Sequence, residues 1–295
     1  MQHQHLVTTM RAITACLVIS FISAGSALAD SVRWTFEATS KAPLSNPHDI
    51  KLSPDGSRLF VSDVGNNRVV ILDPHSLSYM ASFGAHEQNG THDVDFDARG
   101  RLYVADTHNH RTAVYELDGN KAKLIGELSE KIRAPEGVLA HPNGRVYVTG
   151  AGSGNIVAYL SGRVVAEQDG LSAPHDVEVA PNGNIWVADS GNNRMLLMSP
   201  DLKILRELSG APYNFSGQRY LDVAPNGTLI IADKHTHSVK LITANGALVA
   251  TMGNGRAGRG PDRFRTPEGV ELVGDTLWIA DSGNDRIVRY KLTFD

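Results

Sequence analysis

Residues 174–198 read PHDVEVAPNGNIWVADSGNNRMLLM. The stretch from Asp176 to Ala180 alternates apolar and polar residues, the turn Pro181-Asn182-Gly183 follows, and Ile185 to Asp189 forms a second β-branched run. Asn-Gly accepts positive φ at little steric cost, so the two runs make a hairpin. A third strand, Arg194 to Met198, and a fourth, Lys203 to Leu208, complete the unit. The unit recurs. Second strands end at Ser62-Asp63, Ala105-Asp106, Thr149-Gly150, Ala188-Asp189, Ala232-Asp233 and Ala280-Asp281, spaced by 39 to 48 residues. A four-stranded blade takes roughly 40 to 50 residues, so the spacing predicts an all-β fold, a six-bladed β-propeller. The sixth copy stops after its third strand, Arg286 to Thr293. The alternating segment Ser31 to Glu37 is predicted to supply the missing outer strand, closing the ring, capping the last edge and keeping Trp34 and Phe36 from water.

Composition excludes several classes. The 295 residues are 41% hydrophobic and 20% charged, as expected of a folded chain, and a net charge of -4 without a basic run argues against nucleic acid as a partner. Arg11, the apolar run Ala12 to Ile22 and Ala27-Leu28-Ala29 read as a secretory signal peptide over 1–29, leaving 30–295 as the propeller. A periplasmic or secreted protein follows, and no later run is long enough for a membrane span. The only cysteine, Cys16, lies in the leader, so neither disulfides nor thiol chemistry is expected.

The turn after the second strand reads Asp-x-x-Asn-x-Arg in four copies: Asp63, Asn66, Arg68; Asp106, Asn109, Arg111; Asp189, Asn192, Arg194; and Asp281, Asn284, Arg286. A carboxylate there can accept turn N–H groups and an Arg donor, which is a structural role. With this motif the chain resembles the NHL-repeat six-bladed propellers across essentially all of 30–295. Copies three (Gly150, Ser153, Asn155) and five (Asp233, Thr236, Ser238) depart from it, and their turns are expected to be looser.

Innermost strands run beside the axis, so their first residues converge on one face. Alignment on Ala-Asp places His48, His92, Glu136, His175, Arg219 and Glu268 there, followed by Asp49, Asp93, Gly137, Asp176, Tyr220 and Gly269. Three imidazoles beside carboxylates suit a divalent metal such as Zn²⁺ or Ca²⁺, with His48, His92 and His175 as candidate ligands. Arg219 and Tyr220 are candidate catalytic residues, for holding an anionic group and for proton transfer. Against this stands a plain packing role, with Asp capping the loop and His lying beside it. The arrangement is similar to that of the peptidyl-hydroxyglycine amidating lyases, zinc propellers whose ligand histidines begin inner strands. The resemblance implies metal-ligand roles for the same three histidines, although here they sit on blades one, two and four. Lactonase propellers hold metal through carboxylates and Asn, and that weaker resemblance makes Glu136 and Glu268, each in a Pro-Glu-Gly-Val stretch, candidate ligand-binding residues; streptogramin lyases carry similar tetrapeptides.

Arg256 and Arg259, in the Gly-rich loop from Gly253 to Pro267, are expected to overhang the funnel and clamp an anion, unless the loop is simply surface. The His108/His110 and His235/His237 pairs are expected to be solvated turn residues. The chain is thus expected to bind a small molecule or peptide on its top face and to act as a metal-dependent lyase or hydrolase. The alternative is a non-catalytic scaffold for a protein, peptide or glycan partner in the cell envelope.

Overall fold

The computed structural model describes residues 32–294, so the expected leader and Cys16 lie outside the described residues. The described chain forms six four-stranded antiparallel sheets around an axis. The innermost strands are Pro47–Leu52, Thr91–Phe96, Pro135–Ala140, Pro174–Val179, Gln218–Val223 and Val270–Val273, from blade one to blade six. Each blade is sealed to the next by an apolar cluster drawn from both, as where Tyr147, Ile156 and Leu171 of blade three meet Val177, Ile185 and Leu196 of blade four. Among the described residues no helix is long and apolar enough to cross a membrane.

The ring closes through Val32–Thr39, which pairs antiparallel with Arg286–Phe294 and forms the outer strand of blade six. Trp34 packs on the cluster between blades five and six. Phe36 meets the Tyr290 ring edge-on at 5.7 Å yet remains 39% exposed, because it lies at the outer margin where blades splay apart. Closure therefore half-buries Trp34 and leaves Phe36 exposed.

The repeated turn is a hydrogen-bonded knot. In blade four the fully buried Asp189 accepts from Ser172 N at 2.7 Å, Asn192 Nδ2 at 2.8 Å and Arg194 Nε at 2.7 Å. Asp63, Asp106 and Asp281 repeat the pattern. The next residue but three is left-handed, with φ near +52° at Asn67, Asn193, His237 and Asp285 and 56° at His110. Its side chain reaches the following blade: Asn67 Oδ1 accepts from Gly90 N and Asn193 Oδ1 from Gly217 N. His110 and His237 do the same, their Nδ1 atoms accepting from Ala134 N and Thr266 N at 3.1 Å. These two histidines are blade-to-blade ties, His110 while exposed to solvent and His237 half-buried.

The two departing turns are rebuilt instead of loosened. Asp233 keeps its place in blade five by accepting from Ser216 N and pairing with the buried Lys240 ammonium, which replaces the missing Arg. In blade three a Cβ on Gly150 would fall 2.1 Å from Ser153 Oγ, so the serine fills the space an Asp side chain would need.

Candidate functional site

A regular strand sends successive side chains to opposite faces. Here the pairing of inner and second strands shifts by a bulge between Pro47 and Ile50, Thr91 and Val94, Pro135 and Gly137, Pro174 and Asp176, and Gln218 and Leu221. The extra residue lets two neighbours, such as His175 and Asp176, both reach the axis. The first becomes part of an upper ring and the second part of a layer beneath it.

The upper ring brings His48, His92, Glu136, His175, Arg219 and Glu268 together. The His48 and His92 ring centroids are 4.7 Å apart. His92 Nε2 and His175 Nε2 lie 3.6 and 3.4 Å from the same atom, Glu136 Oε2. Glu268 is flanked by Arg219 Nε at 3.6 Å, His48 Nε2 at 3.8 Å and Lys234 Nζ at 2.5 Å. Alignment of the inner strands does not reveal Lys234, because it reaches the ring from the turn after the second strand of blade five.

Hydrogen-bond partners set the imidazole tautomers. His92 Nδ1 donates to Gly90 O at 2.9 Å and Thr107 Oγ1 at 2.8 Å, while Thr107 gives its own proton to Pro135 O. His175 Nδ1 donates to Ala173 O at 2.8 Å. Both rings therefore turn a bare Nε2 toward Glu136. His48 differs: its Nε2 accepts from Asn46 Nδ2 at 3.0 Å, and its Nδ1 is buried without a partner.

Burial dominates the protonation of the ring. It lowers the His48 and His92 pKa values and holds that of His175 down at about 3, with the Arg219 charge adding to the effect at His175. Burial raises Glu136 to about 8, aided by the Glu268 charge and opposed by Arg219. At neutral pH the histidine–Glu136 contacts are thus a protonated acid facing neutral imidazoles, not ion pairs. Tyr220 lies one layer down with a buried, unpartnered hydroxyl, and burial pushes its pKa well up, so it is a donor and not a base.

In two of the three His-Asp pairs the Asp has a structural role. Asp93 Oδ2 accepts from Val138 N at 2.6 Å and Asp176 Oδ2 from Leu221 N at 2.7 Å, each stitching its blade to the next inner strand. Asp222 does the same to Leu272 N at 2.6 Å. Below this layer Lys51 Nζ stands 3.1 Å from Glu178 and 3.8 Å from both Asp95 and Glu271. These residues close the channel down to a cavity with room for about one water molecule.

The loop from Gly253 to Pro267 is tied to blade six: Gly258 O accepts from Asn284 Nδ2 at 2.7 Å, Pro261 O from Tyr290 OH at 2.6 Å, and Phe264 is buried in the core. Arg256 and Arg259 are exposed, and neither contacts a ring residue. His108 packs its ring over Gly90, 6.2 Å from the His92 ring.

The residues do not fit a three-histidine metal centre as they stand. His48 commits its Nε2 to Asn46, whereas His92 and His175 aim theirs at a carboxyl that holds its proton at neutral pH. Among the described residues no group of three or more His, Cys, Asp or Glu is arranged to hold a metal ion.

Residues 91–115 and 171–196 match the family model described as NHL repeat. No curated protein sequence matches the chain. Among solved structures, a catalytically inactive histidine-to-alanine variant of virginiamycin B lyase from Staphylococcus aureus with quinupristin superposes with a TM-score of 0.65 at 14% identity, covering 89% of this chain and 100% of that one. A streptogramin B lyase gives 0.63 at 15% identity over 90% and 98%. A Bacteroides thetaiotaomicron protein of unknown function gives 0.71 at 14% identity over 90% and 73%. At these identities the likeness is one of fold.

Proposed function

We propose that this chain, an NHL-repeat six-bladed propeller, is an exported acid–base lyase acting on a small molecule or peptide bound in the top-face funnel. One observation carries the reading. Several buried side-chain polar atoms on the ring or just under it lack a hydrogen-bond partner among the described residues: His48 Nδ1, Glu136 Oε2, Arg219 Nε, Tyr220 OH and Glu268 Oε2, whereas Glu268 Oε1 is met by the Lys234 ammonium. Buried polar groups are almost always satisfied, so such a concentration marks a place built to receive a polar ligand.

Glu136 and the two imidazoles supply the proton chemistry. Protonated Glu136 donates to the leaving group, while the bare Nε2 of His92 takes a proton from the carbon next to a substrate carbonyl; His175, its pKa held down at about 3, is the weaker base of the two. The C–H electron pair becomes the new C=C bond as the bond to the leaving group breaks. Glu136 is then a carboxylate beside an imidazolium, and each stabilises the other. Return of the proton from Nε2 to Oε2 resets the site, with atoms and charge balanced. An acid with a pKa of about 8 is well placed for this work near neutral pH. The lyase names of two structural neighbours agree with this reaction class.

The test is turnover in H₂¹⁸O, starting with quinupristin and a panel of β-acyloxy carboxylic acids. A lyase gives a conjugated double bond and no ¹⁸O in either product. Incorporation of ¹⁸O would make the enzyme a hydrolase, and binding without any turnover would favour a recognition scaffold.

A further inference from the structure

We infer that Arg219 and Lys234 form a seat for one carboxylate group of the ligand, with Lys234 setting the preference. The inference rests on the funnel being the ligand site. The position just after the repeated strand-ending Asp carries Val64, Thr107, Ser190 and Ser282 in blades one, two, four and six. Thr107, Ser190 and Ser282 use their hydroxyls to bond the carbonyl that opens the next inner strand, at Pro135, Gln218 and Pro47. Lys234, like Val64, has no hydroxyl to make that bond, but it carries a charge instead. It gives up the blade-to-blade bond and places its ammonium 2.5 Å from Glu268.

Glu268 lies beneath both cations, with its side chain 1% exposed against 18% for Arg219 and 25% for Lys234. Two cations thus stand between one buried carboxylate and the opening. Of the groups in direct contact here, two cations flank a single carboxylate, which leaves one cation to meet an anion. Arg219 approaches Glu268 only to 3.6 Å and makes no hydrogen bond through its buried Nε. A guanidinium fork beside an ammonium matches a planar monoanion. A dianion such as a phosphate monoester carries more charge than that single cation balances. Neutralising a substrate carboxylate here also eases removal of the proton beside it.

The probes are benzoate, neutral benzamide and inorganic phosphate, followed by calorimetric titration and by the Arg219 Nε–H resonance. Benzoate is expected to bind and shift that resonance, whereas benzamide does neither and phosphate binds more weakly. Lys234→Met should weaken benzoate by about 10-fold, the worth of one charge-assisted contact, and Lys234→Arg should restore most of it. Equal binding of benzamide, tighter binding of phosphate, or an unaffected Lys234→Met protein would overturn the seat. Glu136→Gln separates the two ideas: it should bind benzoate normally while losing turnover. Turnover with no benzoate binding would remove the seat alone, and benzoate binding with no turnover on any substrate would remove the lyase reading alone.

Discussion

His175 Nε2 and Glu136 Oε2 face each other at 3.4 Å across the boundary between blades four and three, with neither atom committed elsewhere by a hydrogen bond. The distance is too long for a hydrogen bond, yet a small inward shift on ligand binding would make one. Because His92 approaches the same oxygen at 3.6 Å, a proton on Glu136 has two acceptors within reach.

Glu136→Gln keeps the shape and removes the transferable proton. Turnover should fall by about 10² or more, while the melting temperature stays the same or rises, since a buried acid is replaced by a neutral amide. Retained turnover would remove Glu136 from the chemistry.

Stability should fall as the pH rises from 7 to 9. Burial holds the Glu136 pKa up at about 8 and that of Glu271 at about 7, so the native state binds protons that the unfolded chain has released. For acids with raised native pKa values, this stability is present at low pH and is lost as the pH climbs through those values. The three ring histidines have lowered native pKa values, and their effect appears only as the pH drops below about 6.5. Melting temperatures at pH 7 and pH 9 check the sign, and Glu136→Gln should shrink the difference.

The turn knots differ in burial. Arg286, paired with Asp281, has a side chain only 8% exposed, against 19% for Arg68, paired with Asp63. Asp281→Ala strands a buried guanidinium and should cost about 3–5 kcal/mol, more than Asp63→Ala. Urea midpoints of the two variants give the order.

Deleting residues 32–39 should open the ring. It uncovers Arg286–Phe294 as an unpaired edge and exposes the surface under Trp34, worth about 2 kcal/mol of burial. Light scattering should show association that the full chain does not.

The architecture could be read in the sequence because each blade is encoded locally: the strand ending in Asp189, the Asn182-Gly183 turn and the Asn192, Arg194 pair announce themselves within a few residues. Alignment on that Asp also named all six members of the upper ring, since rotational repetition turns equal sequence position into equal spatial position. What escaped depends on contacts between blades. Lys234 reaches Glu268 from a turn whose sequence gives no sign of its direction. His110 and His237 look like solvated residues until the N–H of the next blade is in view. Arg256 and Arg259 suggested a clamp, but Asn284 and Tyr290 tie their loop to blade six.

The most direct test of the account is nitrogen-15 imidazole spectroscopy of the free protein across pH 5 to 8, with His92→Gln and His175→Gln variants for assignment. Both rings are expected to carry the proton on Nδ1 with a bare Nε2 at pH 8, and His175 to stay neutral down to pH 5. An Nε2–H tautomer in either ring, or an imidazolium signal for His175 at pH 6, would contradict this.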